Sequence, residues 1–175
     1  MRVPRPLPAE IQQLCETLGA PPRLIAHLRC VHDTATDLVE RLHRIFPTLV
    51  FDARAVLFGA AVHDLGKVQH PNELTEPGSE HEHDGPAVLE EAGVSPSISR
   101  FAGTHGAWND SLPLEDLLVA LADAVWKGRS PELEGLVARK IGKMLAIEEW
   151  KAFAEIDILA EQLAAAGQER LAWQQ

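Results

Sequence analysis

The sequence contains no tyrosine, two cysteines and two methionines, and only 5% of its residues are aromatic. Motifs built on tyrosine are thereby excluded. Cys15 and Cys30 lack the Cys-x-x-Cys spacing of metal ribbons and redox pairs, and two cysteines are too few for a disulfide-stapled secreted scaffold. No apolar run approaches the roughly 18 residues that cross a bilayer. The opening Met1-Arg2-Val3-Pro4-Arg5-Pro6 carries two basic residues but no apolar stretch follows. No secretory signal is therefore expected, and the chain reads as cytoplasmic with no membrane partner. A dense Lys/Arg stripe is also missing: 16 basic residues face 26 acidic ones, for a net charge of −10. Duplex nucleic acid, which is held by exchanging counterions for a basic face, is an unfavourable partner. A small anion remains compatible wherever a bound metal overrides the global field.

What is present is helical periodicity. Apolar residues recur at three- and four-residue spacing through nearly the whole chain, while alternating β-type runs are scarce, which predicts an all-α, compact single-domain helical bundle. A short helix is expected over residues 9–18, ended by Gly19 with Pro21-Pro22 beyond it. A long one follows over 23–46, with Leu24, Leu28, Val31, Ala35, Leu38 and Leu42 as its buried stripe and Pro47 as its stop. Asp52 reads as the N-cap of a third helix that runs to His63, with Gly66 at its C-cap. Further helices are expected over 84–91, 96–104, 113–127, 132–145 and 148–166, and residues 68–82 read as a long, acidic loop. The organisation this predicts is an N-terminal segment (1–22), a core (23–130) and C-terminal helices packing on it (131–175).

Eight histidines are the unusual enrichment, five of them between His63 and His105. The sharpest local signal is His63-Asp64-Leu65-Gly66-Lys67, at the end of an apolar helix. Adjacent side chains on a straight helix diverge by about 100°. At a helix end, where the backbone turns, both can reach one cation, and imidazole with carboxylate suits borderline and harder divalent metals. His32-Asp33 has the same letters but reads as a solvated helix face. Asp123 stands in a helix that is apolar nearly all round, where a carboxylate must be paired or bound to a metal.

A helical His, then His-Asp-x-Gly-Lys, then a distant helical Asp, in that order, resembles the HD-domain superfamily of metal-dependent phosphohydrolases over residues 23–129. The resemblance implies that His27, His63, Asp64 and Asp123 hold a divalent metal inside a helical bundle. His27 and His32 both flank the buried stripe of their helix, so periodicity barely separates them. The motif favours His27, which starts His27-Leu28-Arg29-Cys30-Val31 and has Arg23 one turn before it. His83, opening His83-Asp84-Gly85-Pro86-Ala87, and His105 resemble the two further ligands of the dinuclear branch, in which the carboxylate of the His-Asp pair bridges two ions. His81 competes with His83, and the glycine spacing favours His83. One departure stands out. The cyclic-di-GMP phosphodiesterase branch doubles the histidine near His105 and follows it with Gly-Tyr-Pro, whereas Gly106 follows His105 here. That argues against cyclic di-GMP and leaves the second metal one potential ligand short.

The activity implied is hydrolysis of a phosphomonoester or phosphodiester, on a small nucleotide-like substrate, by a metal-activated hydroxide. One or two divalent ions per chain (Mn, Fe, Zn, Co or Ni) would serve, and two ions about 3.5–4 Å apart can share that hydroxide. Asp64 and Lys67 are the expected catalytic residues, and Lys67, Arg23 and Glu73 the expected substrate contacts. Lys67 has a plain alternative role capping the preceding helix. Lys127 and Arg129 are weaker candidates for the rim, and Trp108 or Trp126 for stacking on a base. Glu73 belongs to the 68–82 loop, which is expected to wall the pocket. Two rival readings stay open. An HD-type mixed-valent di-iron oxygenase would use the same ligands, and a non-catalytic metal- or ligand-binding regulatory module would need no substrate turnover. Homo-oligomerisation is left open.

Overall fold

Nine α-helices and two 3-10 turns make up the described residues, 3–174, of a computed structural model, and no strand occurs among them. Met1 and Arg2, which begin the N-terminal stretch read above, and Gln175 lie outside the described residues. In chain order the helices are α1 (Ala9–Thr17), α2 (Pro22–Ile45), α3 (Ala53–Val62), α4 (Glu80–Glu91), α5 (Pro96–Thr104), α6 (Leu114–Val125), α7 (Pro131–Leu145), α8 (Glu149–Ala164) and α9 (Gly167–Gln174). The all-α expectation holds. Proline occupies the first helical position of α2, α5 and α7, where its missing N–H costs no hydrogen bond. Asp52 caps α3 by accepting from the Ala55 N–H at 2.9 Å.

The 24-residue α2 is the spine. Its stripe of Leu24, Leu28, Val31, Ala35, Leu38 and Leu42 is fully buried, each leucine contributing roughly 1.5–3 kcal/mol relative to exposure. The stripe divides between two apolar clusters. One gathers Leu38, Leu42, Val56, Leu117, Leu121, Leu133 and Leu159 from α2, α3 and α6–α8. The other gathers Ile11, Cys15, Leu24, Leu28, Val62 and Leu65 under α1. α2 and α3 contribute to both, and His27 and His63 lie on the stretches that α2 and α3 give to the second cluster. Cys15 and Cys30 are buried free thiols. No helix among the described residues is long and apolar enough to cross a membrane.

Three local expectations are corrected. The 68–82 segment is not structureless: 3-10 turns occupy Leu65–Val68 and Pro71–Leu74, and α4 already begins at Glu80. The Glu73 carboxylate accepts the backbone N–H groups of Glu80 (2.9 Å) and His81 (3.2 Å), satisfying the orphan donors of the α4 N-terminus from seven and eight residues upstream. His32-Asp33 is not a solvated face. His32 is 8% and Asp33 3% exposed, because the segment before α1 folds back over α2 and sets the Arg5 guanidinium 2.7 Å from Asp33 Oδ1. Finally, α9 was not expected. Arg170 anchors it by donating to the Leu163 carbonyl at 2.7 Å, and Arg29 lies 4.7 Å above the Trp173 ring.

Candidate metal centre

The centre begins where α3 stops. His63 keeps helical backbone angles (φ −51°, ψ −34°), but Asp64 leaves them (φ −101°, ψ 4°) as the chain tightens into the 3-10 turn. Two neighbouring side chains that would diverge on a straight helix therefore converge. Gly66 then lets α4 cross directly over this turn. A Cβ there would overlap the His81 carbonyl oxygen and stand 2.9 Å from Gly85 Cα. The close crossing brings His81 onto Asp64.

Around Asp64 the side chains fall into two groups, one per carboxylate oxygen. Oδ2 lies 3.1 Å from His27 Nε2 and 2.6 Å from Lys67 Nζ. His27 Nε2 is in turn 3.4 Å from His63 Nε2, and Asp123 Oδ1 is 3.4 and 3.6 Å from those two nitrogens. On the other side, Oδ1 lies 3.1 Å from His81 Nε2 and 3.3 Å from His105 Nε2. Thus α2, the end of α3, α4, the end of α5 and α6 each deliver donors to one point.

Ring orientation is set from behind. His63 Nδ1 donates to the Ala60 carbonyl at 3.0 Å, His105 Nδ1 donates to the Phe101 carbonyl at 3.2 Å, and His81 Nδ1 donates to the Glu73 carboxylate. With Nδ1 engaged from behind, each ring turns Nε2 inward, as metal-binding histidines do. His81 Nε2 and Asp123 Oδ1 are buried and, despite near neighbours, make no hydrogen bond of acceptable alignment among the described residues. Buried polar atoms left without an aligned partner, one on each side of Asp64, fit divalent cations.

The electrostatics agree. Burial opposes ionisation of Asp64, yet His63, His105, His27 and His81 hold its carboxyl well below the ordinary range. Asp123 is likewise held down against burial, by His27 and His63. Burial lowers His27, but Asp123 and Asp64 outweigh it and push the ring up to about 9. His63 is pushed down by burial. His105 is raised, Asp64 outweighing burial. The carboxylates stay anionic and surround themselves with whatever positive charge is at hand.

The structure therefore brings together His27, His63, Asp64, His105 and Asp123, and adds His81 in place of His83. His83 is corrected: its side chain is 92% exposed and lies beside Asp84. Residues two positions apart on a helix point about 200° apart, so only one of His81 and His83 can face Asp64. Gly85, four residues after His81, shares the face of His81. The glycine that favoured His83 is the packing partner of His81's own stripe. Helical spacing through 81–85, read as i and i+4 on one face, would have pointed to His81 instead.

Glu73 lines the cleft as expected, and both its oxygens are already engaged by the α4 N-terminus and the His81 ring. Its carboxyl is held down, burial being outweighed by the His81 bond. Beside the cluster opens a cleft of about 280 Å³ whose lining includes Arg23, Lys67, Lys127, Trp126, Leu74 and Leu171. Glu73 and Leu74 place the 68–82 segment on its wall. Arg129 is spoken for by Glu134 and Asp157 and does not line this cleft. Trp126 packs edge-on to His27, with ring centroids 5.1 Å apart. Leu171, from α9, had no sequence signal.

A family model for the HD domain matches residues 12–126, well over half of the chain. No curated protein and no solved structure matches it.

Proposed function

Because the chain belongs to the HD-domain family, we propose that it is a metal-dependent phosphohydrolase. It acts on a small, nucleotide-like phosphate ester, as a phosphomonoesterase or phosphodiesterase. The observation that carries this reading is the two-sided Asp64 carboxylate. His27, His63, Asp123 and Asp64 Oδ2 would hold one divalent ion, and His81, His105 and Asp64 Oδ1 a second. When bound, such ions make water nucleophilic near neutral pH and neutralise charge on phosphoryl oxygens.

The chain's own groups supply the rest. Lys67 Nζ, 2.6 Å from Asp64 Oδ2, holds the Asp64 carboxylate in place and offers its remaining N–H donors to a phosphoryl oxygen in the cleft. Arg23 and Lys127 add positive charge to the rim of an otherwise acidic protein, which draws an anion to this opening. Leu24, Leu74, Leu171 and Trp126 give an apolar wall that excludes water and accepts a flat organic group. A cleft of about 280 Å³ lies at the small end of ligand pockets, which suits one small ester and not a polymer.

The test is metal analysis followed by a phosphomonoester and phosphodiester panel on the metal-loaded protein. Turnover that disappears in Asp64→Ala supports the proposal. No turnover of any ester by protein carrying two ions would overturn it. The donor set of four imidazoles and two carboxylates also suits a mixed-valent di-iron oxygenase. Iron as the bound metal, a coloured protein and substrate-dependent dioxygen uptake would select that second reading.

A further inference from the structure

The two halves of the centre are unequal. The Oδ2 side has three protein donors besides Asp64: His27, His63 and Asp123. The Oδ1 side has two, His81 and His105. The shortage coincides with Gly106, which places no side chain next to His105.

Glu82 occupies the space that Gly106 leaves. A Cβ built on Gly106 would stand 2.7 Å from Glu82 Oε2 and closer still to the other two carboxyl atoms. The carboxylate thus lies flat over the glycine, which is reached only because nothing projects from residue 106. One carboxylate oxygen of Glu82 and one ring nitrogen from each of His81 and His105 lie within 4.8 Å of one another. Glu82 has no hydrogen-bond or ion-pair partner for this carboxylate among the described residues, although it is half-buried. His81, 4% exposed, has its Nε2 3.1 Å from Asp64 Oδ1 and yet in no aligned hydrogen bond. A free carboxylate and an orphaned imidazole nitrogen facing one place are what a cation requires and what two isolated side chains avoid.

We propose that Glu82 is a ligand of the second ion, completing a set of Asp64 Oδ1, His81, His105 and Glu82, and that Gly106 is the residue that admits it. The inference rests on the paired-ion reading above and adds to it a fourth donor on the Oδ1 side. A third carboxylate makes this half harder and more oxygen-rich, which favours Mn or Fe over Zn there. It also lowers the net positive charge of the loaded centre, and so tunes how strongly an anionic substrate is held.

The test titrates Mn²⁺ alone into the metal-free full-length chain and follows stoichiometry by calorimetry and spin coupling by paramagnetic resonance. The wild-type protein is expected to bind two ions and to show a coupled pair. Glu82→Gln and Glu82→Ala should keep the first ion and weaken the second by at least about 10-fold, with loss of the coupled signal. Gly106→Ala should do the same without touching any ligand, because its methyl displaces the carboxylate. Glu91→Gln, at the exposed end of α4, is the control and should leave both ions. Two ions bound with unchanged affinity in Glu82→Ala would overturn the assignment of Glu82 and leave the paired-ion reading standing. A single ion in the wild-type protein would overturn both.

Discussion

His32-Asp33 and His63-Asp64 are the same dipeptide in two regions of one molecule, both nearly sealed from solvent, and they do different things. The first lies in the middle of α2, where the helix continues on either side. Its aspartate turns to Arg5 and its imidazole stays separate, with Nδ1 unpartnered among the described residues. The second lies where α3 gives way to a 3-10 turn, and there both side chains face one cluster. Burial and composition do not separate the pairs. The backbone does, because the turn that ends α3 folds His63 and Asp64 toward one point, while the straight run of α2 leaves His32 and Asp33 apart.

That comparison can be broken by mutation. Asp64→Ala is expected to have the largest effect. It removes the oxygen on each side of the centre, so both ions should be lost and turnover should fall by about 100- to 1,000-fold or more. Asp33→Ala, the same change in the other dipeptide, should keep full metal content. If elemental analysis finds metal retained in Asp64→Ala and lost in Asp33→Ala, the contrast drawn here is wrong.

Next in size is the pair on α4. His81→Ala should leave one ion per chain and little activity, while His83→Ala, altering a 92% exposed side chain, should change neither. A weaker effect is expected from Glu73→Gln, which keeps an acceptor for His81 Nδ1 but removes its charge. The second ion should bind about 10- to 100-fold less tightly with the first unaffected. Calorimetric titration distinguishes this from a simple loss of fold.

Smaller again is the stability side of the comparison. Asp33→Ala strips Arg5 of a partner at 2.7 Å, but that guanidinium is 35% exposed and partly screened. A loss of about 1–2 kcal/mol in urea unfolding is expected, with metal content unchanged. The smallest effect concerns His32, which burial holds below its ordinary value. Its folded form therefore takes up a proton less readily than the unfolded chain. Stability should be full above about pH 6.5 and should fall as the pH drops below it, by at most about 1.4 kcal/mol per unit. His32→Gln should flatten that slope relative to wild type. An unchanged slope would mean that the ring is not neutral in the folded protein.

Much of this was legible in the chain itself. The stripe Leu24, Leu28, Val31, Ala35, Leu38 and Leu42 is a local pattern, and local patterns determine helices because each residue's neighbours at three and four positions are known from sequence. The same holds for α5, whose bounds match expectation, and for Asp52 as a cap. It also holds for the order of His27, His63-Asp64 and Asp123. Those residues were read together through a family's motif, and the geometry that unites them lay beyond periodicity.

What sequence reading missed shares one cause. His81 displaces His83 because α4 starts at Glu80, and that start is set by Glu73, a carboxylate from the preceding turn. Arg5 buries Asp33 from 28 residues away. α9 is a short helix held by Arg170 against the carbonyls of Trp126 and Leu163 and by Trp173 under the Arg29 guanidinium. In each case the deciding contact joins residues that no periodic spacing relates. By itself, then, the sequence determined an all-α chain, its main helices, its acidic charge and a motif with metal-binding letters. Tertiary structure alone decided which histidine of a pair turns inward, which carboxylate orients it, and which of two identical dipeptides becomes a site. The physical reason is that helix phase and helix crossing rest on long-range packing, and a metal centre is built where several such phases meet.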